Sequence, residues 1–271
     1  MKLYRIGEYA KYLGVTPDLL KHYEELGLLT PERTENGYRY YSYKTTIIQI
    51  ESIRLRNYGM TLREIRDILT KKQSDNAAMG RRLGINMENL RQEASLDEAL
   101  AQDYEAFLEW KESLAYRDAD WVIRWGKPMF FLPHTVHYDF LEDTRISDLL
   151  KDWMSFIPIV KSAMRVDAAG TVTWGFLISQ ENHQKLGLPI NDVVQAIPSR
   201  KIFYYKFRDT IRRMADEVPD TASHPVFRIL SGMNLRWTNP FFRITLMPAD
   251  WAGDLIRQYA YYAVPLQEES F

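Results

Sequence analysis

The chain has no cysteine. Disulfides, thiol redox chemistry and thiolate metal ligation are therefore excluded. No stretch approaches the run of about twenty apolar residues that a membrane span needs, and the N-terminal residues lack the apolar core of a signal peptide. A soluble, cytoplasmic protein is expected. Glycine is scarce, 13 in 271 residues, and neither a phosphate-cradling glycine loop nor a Ser-His-Asp arrangement is present. Net charge is also nearly absent, at −1, but the balance conceals an asymmetry. Residues 1–72 hold 13 Lys+Arg against 9 Asp+Glu, a balance of +4, and the remaining 199 residues hold 22 against 27, a balance of −5. A modest basic excess thus sits at one end of the chain.

That end carries the densest local signals. Thr16 is a preferred N-cap, and Pro17 fits the first helical position, where its missing N–H would be unpaired anyway. Gly27 suits the left-handed residue that ends a helix. Asn36-Gly37, ahead of Tyr38-Arg39-Tyr40, predicts a two-residue hairpin with both turn residues at positive φ. Before this segment, Ile6, Ala10 and Leu13 share one helical face, and Gly14-Val15 breaks into the next helix. After it, Ser42 can cap a third helix, Gly59 can stop it, and Thr61-Leu62-Arg63-Glu64 reads as a capping box opening a fourth. Helix, tight turn, helix and a basic aromatic hairpin together outline a winged helix-turn-helix, whose second helix would enter the major groove of DNA.

Residues 4–69 resemble the N-terminal domain of the MerR transcription regulators. The resemblance rests on Tyr4-x-Ile6-Gly7-Glu8-x-Ala10, Tyr23-Glu24, Gly27-Leu28-Leu29, Pro31-x-Arg33, Gly37-Tyr38-Arg39-x-Tyr41 and Gly59-Met60-Thr61-Leu62-x-Glu64-Ile65. It implies sequence-specific binding of double-stranded promoter DNA by a homodimer. Thr16, Lys21, His22, Tyr23, Tyr38, Arg39 and Tyr40 would be the DNA-binding residues, with Lys21, Tyr23, Tyr38 and Arg39 mostly gripping phosphates. It also implies an indirect effect on RNA polymerase, through distortion of a promoter whose elements lie too far apart. Family members usually carry Arg and Tyr where Lys21 and His22 stand. Lysine can neutralise a phosphate but cannot make a bidentate fork, so altered operator contacts are expected.

Three segments are predicted: the winged helix-turn-helix over 1–73, a dimerisation helix over 74–118 and a C-terminal effector-binding domain over 119–271. In the middle segment Leu83, Met87, Leu90, Ala94, Ala101, Tyr104 and Leu108 form one stripe, and Leu96, Leu100, Phe107, Trp110 and Leu114 a second. One face would meet a partner helix in an antiparallel coiled coil, as the resemblance implies, and the other the chain's own domains.

The third segment holds six of the seven Trp and eleven of the twelve Phe. Lys127–Leu132 recurs as Arg200–Tyr205, 73 residues later, and each strand-like run precedes a helical pattern, at 146–157 and near 227–230. Strands follow at 171–178, 241–247 and 259–266. Two strand–helix–strand–strand units resemble the GyrI-like effector-binding domain, so an α+β fold with an antiparallel sheet is expected, binding a small lipophilic or aromatic effector. Family domains usually have Glu at the position of Tyr261, which places cationic ligands in question. On strand parity Phe203, Tyr205 and Phe207 share one face, leaving Tyr204 toward the ligand. Tyr204, Tyr261, Trp174, Trp237 and Glu142 are the candidate effector contacts.

Other chemistry reads weakly. His134-x-x-His137 with Asp139 and Glu142 lacks the helical context of zinc motifs. A hydrolase would need a placed acid or base such as Glu142 or Glu181. No enzyme activity, cofactor or metal is expected. The alternatives to effector control are a DNA-binding regulator that answers to a protein partner or to no ligand, and a small-molecule hydrolase activity in the C-terminal domain.

Overall fold

A computed structural model describes residues 2–34, 37–70, 96–113, 119–210, 224–252 and 255–267. Asn36, residues 71–95 and residues 114–118, which include much of the expected dimerisation helix, lie outside the described residues.

The N-terminal head runs β1 (Tyr4–Arg5), α1 (Ile6–Tyr12), α2 (Pro17–Glu25), β2 (Glu32–Arg33), β3 (Arg39–Tyr41), α3 (Tyr43–Asn57) and α4 (Leu62–Thr70). The Thr16 hydroxyl accepts the Leu19 N–H at 3.2 Å to start α2. The capping box of α4 closes both ways, with Thr61 N–H on Glu64 at 2.9 Å and Glu64 N–H on Thr61 at 3.4 Å. The three strands order β1-β3-β2, with Arg5 opposite Tyr40 and Arg33 opposite Arg39. The hairpin differs from the two-residue turn expected. Thr34 N–H bonds Tyr38 C=O at 3.2 Å, and Gly37 N–H bonds Thr34 C=O at 2.8 Å. Three residues therefore separate the last pair, with Gly37 left-handed at φ 76°, as in three-residue hairpins that end on a glycine bulge.

After α5 (Leu96–Ser113) comes an antiparallel sheet domain, with nine strands among the described residues. Its elements are β4 (Ala119–Trp125), β5 (Met129–Val136), β6 (Asp139–Phe140), α6 (Thr144–Ser155), β7 (Lys161–Val166), β8 (Val172–Ser179), α7 (Gln180–Leu186), β9 (Gln195–Ile197), β10 (Lys201–Thr210), α8 (Pro225–Gly232), β11 (Phe241–Ala252) and β12 (Leu255–Pro265). The main order is β4-β10-β12-β11-β7-β8-β5-β6, with β9 also on β5. The internal repeat becomes a pseudo-two-fold. One unit is β5-α6-β7-β8 and the other β10-α8-β11-β12, and their second strands, β7 and β11, meet at the centre. One sheet face, with Phe203, Phe207, Met164, Phe176 and Tyr262, belongs to the main core. Phe131, Ala163, Leu177, Phe242, Ile244 and Ala263 form a second cluster, with Tyr204 and Tyr261 packed against it.

Helix α5 buries Leu100, Ala101, Tyr104, Phe107 and Trp110 within its own chain. Members of both stripes are thus used internally over 96–113, and the coiled-coil expectation for the preceding residues falls outside the described structure. Phe107 and Trp110 meet Tyr259 edge-on, with ring centroids 5.5 and 6.0 Å apart.

Head and sheet domain share a buried seam. Phe140 packs among Tyr4, Tyr9, Tyr12 and Tyr43, with centroids between 5.1 and 6.1 Å, and its N–H donates to the Tyr4 hydroxyl at 2.9 Å. Asn57 donates to Ser155 C=O at 3.0 Å and to Ile157 C=O. At Gly14, φ is 63° and an added Cβ would lie 2.6 Å from the Lys151 backbone nitrogen. Only glycine suits both the left-handed turn and that approach. Helix α3, caught in this seam, buries Thr46, Gln49, Glu51, Ser52 and Arg54 as well as Ile50 and Leu55.

Candidate functional site

Helical spacing sorts the residues of α2. Leu20 and Tyr23, three apart, face the core and are 0 % exposed. Lys21 and His22 face out, with about half of each side chain in solvent, and pair loosely with Asp18 at 3.0 Å and Glu25 at 3.5 Å. Tyr23 is a correction to the DNA-binding set, because its ring is core and its hydroxyl is buried, with no hydrogen-bond partner among the described residues. Thr16 is exposed and occupied in capping α2.

The wing is tied to α2. Arg39 Nε lies 2.9 Å from Glu24 Oε2, and the Tyr41 hydroxyl donates to the other Glu24 oxygen. Glu24 is itself mostly covered, at 11 % side-chain exposure against 45 % for Arg39. Tyr38 is exposed, and the Arg5 guanidinium lies over its ring at 5.9 Å. Tyr40 is half-buried beside Arg5. The sheet register thus adds two exposed cations, Arg5 and Arg33, to Arg39. Their link was hidden in sequence because strand pairing, not chain spacing, brings them together. Arg33 and Arg39, opposite each other in the ladder, share one side of the wing, and Arg5, Tyr38 and Tyr40 share the other. With Lys21 and His22 of α2 they set exposed positive charge on one helix and on both sides of one hairpin, a pattern suited to gripping a phosphate backbone.

A second feature is a cavity of about 360 Å³ between α5 and the sheet, within the range of small-molecule sites. Its sheet wall includes Arg124 of β4, Lys161 of β7, Tyr204 and Lys206 of β10 and Tyr261 of β12. Helix α5 supplies Asp103, Phe107 and Trp110, and the head supplies Tyr58. Tyr204 and Tyr261 lie 5.4 Å apart by ring centroid, and the Arg124 guanidinium sits 4.4 Å above the Tyr204 ring. Trp110 meets Tyr261 nearly at right angles, 6.4 Å away. Burial pushes the Tyr261 hydroxyl pKa well up, so it stays neutral and able to donate a hydrogen bond.

Asp103 joins three segments. Lys161 forms an ion pair with it, and the Tyr58 hydroxyl approaches its other oxygen at 3.5 Å. Burial lowers the Lys161 pKa while Asp103 opposes that shift. This junction escaped the sequence reading because Tyr58, Asp103 and Lys161 lie far apart in the chain and none carries a local motif.

The other candidate contacts lie elsewhere. Trp174 is at the head–sheet seam, 6.2 Å from Tyr43. Trp237 packs on Phe227 at 5.2 Å, in the main core. Glu142 pairs with Lys2 at the surface. None of the three lines the cavity. His134 is buried among Phe176, Tyr43 and Phe140, and burial pushes its pKa down to about 3. Among the described residues no group of three His, Asp or Glu could hold a metal. Glu181 is bound to Lys185 and Lys127, which hold its pKa down to about 2. No described helix is long and apolar enough to cross a membrane.

Comparison with known proteins bears on the head. Residues 4–72 match the MerR HTH family regulatory protein model. The chain is 43% identical over 76 residues to the mercuric resistance operon regulatory protein of Bacillus cereus, covering 27% of this chain and 57% of that protein. It is 40% identical over 76 residues to the multidrug-efflux transporter 2 regulator of Bacillus subtilis, covering 27% of this chain and 28% of that one. The matched stretch therefore spans between about a quarter and just over half of these relatives. A chain from a solved EcmrR–DNA complex aligns over 98% of this chain and 100% of its own, at 15% identity and a TM-score of 0.34, too low to equate the folds. Residues 4–72 are thus a MerR-type helix-turn-helix segment, joined to a sheet domain outside the matched residues.

Proposed function

We propose that this chain is a DNA-binding transcription regulator that acts in the cytoplasm as a homodimer and is switched by a small organic effector. The outward residues of α2, Lys21 and His22 with Thr16 at its start, would enter the major groove, and Tyr38, Arg39, Arg5 and Arg33 would hold the flanking phosphates. The sheet domain would serve as a GyrI-like effector domain and the helix before it as the dimer contact. Promoter DNA is then the direct partner and RNA polymerase an indirect one. Neither enzyme activity nor a cofactor belongs to this reading.

The observation that carries it is the cavity's position. Its walls come from the head, α5 and the sheet at once, through Tyr58, Asp103 and Tyr204. A ligand seated there would favour one arrangement of these segments over another, which is what switching requires. The regulator that answers to no ligand would leave this aromatic space without a role.

Tyr204→Ala tests the reading. Thermal-shift screening of the full chain against aromatic acids, amines and dyes identifies a binder, and titration calorimetry compares variant with parent. The variant is expected to bind at least tenfold more weakly, with DNA affinity in the absence of ligand unchanged. Unaltered ligand affinity would contradict it.

A further inference from the structure

The charges around the cavity are unevenly placed, and they bear on the kind of effector. This inference rests on the cavity being the effector site. Its wall has three cations, Arg124, Lys161 and Lys206, and two acids, Asp103 and Glu109. Asp103 is committed to Lys161, and both side chains are largely covered, at 21 and 16 % exposure. Glu109 is exposed to solvent on α5, as Arg124 is on β4, so water weakens both charges alike, but only Arg124 sits on the aromatic pair, over the Tyr204 ring. Among the described residues both carboxylates that line the cavity come from α5, and the strands that carry Tyr204 and Tyr261 contribute none to its lining.

The two remaining cations stand at the aromatic end. Arg124 lies over the Tyr204 ring. Lys206 follows Tyr204 by two residues on β10 and so shares its face. Asp120 stands opposite Lys206 in the ladder, but burial and the nearby Arg124 charge still lower the lysine's pKa. The tyrosine pair therefore has positive charge at its edge, with Trp110 closing the other side. A lipophilic cation would meet the aromatic rings but also Arg124 and Lys206. A flat anion would stack on Tyr204, Tyr261 and Trp110 and place its charge between the guanidinium and the ammonium. Arginine offers a carboxylate two parallel donors.

We propose that the cavity binds a flat aromatic anion, of the aryl carboxylate class, and discriminates against lipophilic cations. Arg124 and Lys206 hold the charge, and Tyr204, Tyr261 and Trp110 hold the ring. The anion also lies within the same cavity as Lys161, so it competes with Asp103 for that ammonium. Loosening this pair would free α5 from β7 and pass occupancy toward Tyr58 and the head.

The test uses the full chain and three probes of one shape: 2-naphthoate, neutral 2-naphthamide and the cationic 2-naphthylmethylammonium. Binding is read by titration calorimetry. Naphthoate is expected to bind at least tenfold more tightly than the ammonium probe, with the amide between. Arg124→Gln should weaken naphthoate at least tenfold, Arg124→Lys should restore part of the loss, and Lys206→Glu should shift the preference toward the cation. Arg124 is exposed, so its replacements leave the core intact. Tighter binding of the ammonium probe, lost in Tyr204→Ala, would overturn the anion assignment and leave the cavity as the effector site. Naphthoate binding that is indifferent to Arg124→Gln and Lys206→Glu would also overturn it. Saturable binding of none of the three up to millimolar concentration would overturn both the assignment and the effector reading.

Discussion

Single residues separate binding from packing in the head. Lys21 and Tyr23 are two apart, yet one is half in solvent and the other fully buried, because a 100° step per residue puts them on different faces. A motif read as a string cannot make that distinction, whereas helical phase can. Arg39 holds Glu24 at the base of the wing and, in the proposed function, would also present charge to the duplex. Arg39→Ala is expected to weaken binding to all duplexes to a similar degree and to reduce the slope of log affinity against log salt by about 1. Fluorescence anisotropy across a salt series reads both, and a loss confined to one sequence would exclude the phosphate role. His134 supplies a pH test. Its folded pKa of about 3 lies below the ordinary histidine value, so between the two the unfolded chain binds more protons. Its contribution is complete above about pH 6.5 and is lost as pH falls toward 3, at up to about 1.4 kcal/mol per unit. Urea unfolding from pH 7 to 4 should show that slope, and His134→Phe should flatten it; an equal slope in the variant would refute the assignment.

Among the elements, some were legible and others were not, for reasons of packing. The strands β5, β8, β10, β11 and β12 show as apolar or aromatic runs because one face of each meets a core. Strand β4 does not, since Trp121 and Trp125 are 42 and 64 % exposed and the strand sits at the sheet edge. Strand β7, Lys161–Val166, is short, and its small residues Ser162 and Ala163 are buried, which reads as neither pattern. Helix α3 misleads in the opposite direction. Polar residues on it suggest a solvated face, yet Thr46, Gln49, Glu51, Ser52 and Arg54 are all buried, Thr46 against the Tyr9 hydroxyl within the head. Arg54 Nη1 holds both Glu51 oxygens, at 2.9 and 3.1 Å, with neither side chain more than 2 % exposed. Burial raises the Glu51 pKa, and Arg54 opposes that rise. Arg54→Met should destabilise the chain by about 3 kcal/mol, since it leaves a buried acid unpaired. The double variant with Glu51→Leu should recover most of that loss in chemical denaturation. A double variant as unstable as the single would show that the pair has a role beyond mutual neutralisation.

At the scale of the whole molecule, sequence conveys the order of the parts better than their contacts. The head was readable because its capping residues, glycines and hairpin lie at short fixed spacings, and the doubled unit of the sheet domain because its first strand-like run recurs 73 residues later with a helical pattern after each copy. The seam between Phe140 and four tyrosines, the approach of Gly14 to Lys151 and the cavity at Asp103 depend on segments far apart in the chain, and no local pattern encodes them. Tyr204 and Tyr261 could be singled out by strand parity and family position, but Arg124, Lys161 and Lys206, which set the cavity's charge, needed the pairing of β4, β10, β12, β11 and β7. These contacts link a head with an exposed basic face to a cavity walled by all three segments. Reading of duplex DNA by this head underlies the proposed function. It is tested most directly by selecting duplexes from a random pool with the full-length protein. Sequencing should reveal an enriched motif with two-fold symmetry and half-sites one helical turn or a multiple apart, and Lys21→Ala should abolish or alter its enrichment. A pool that stays random after repeated rounds would contradict the account.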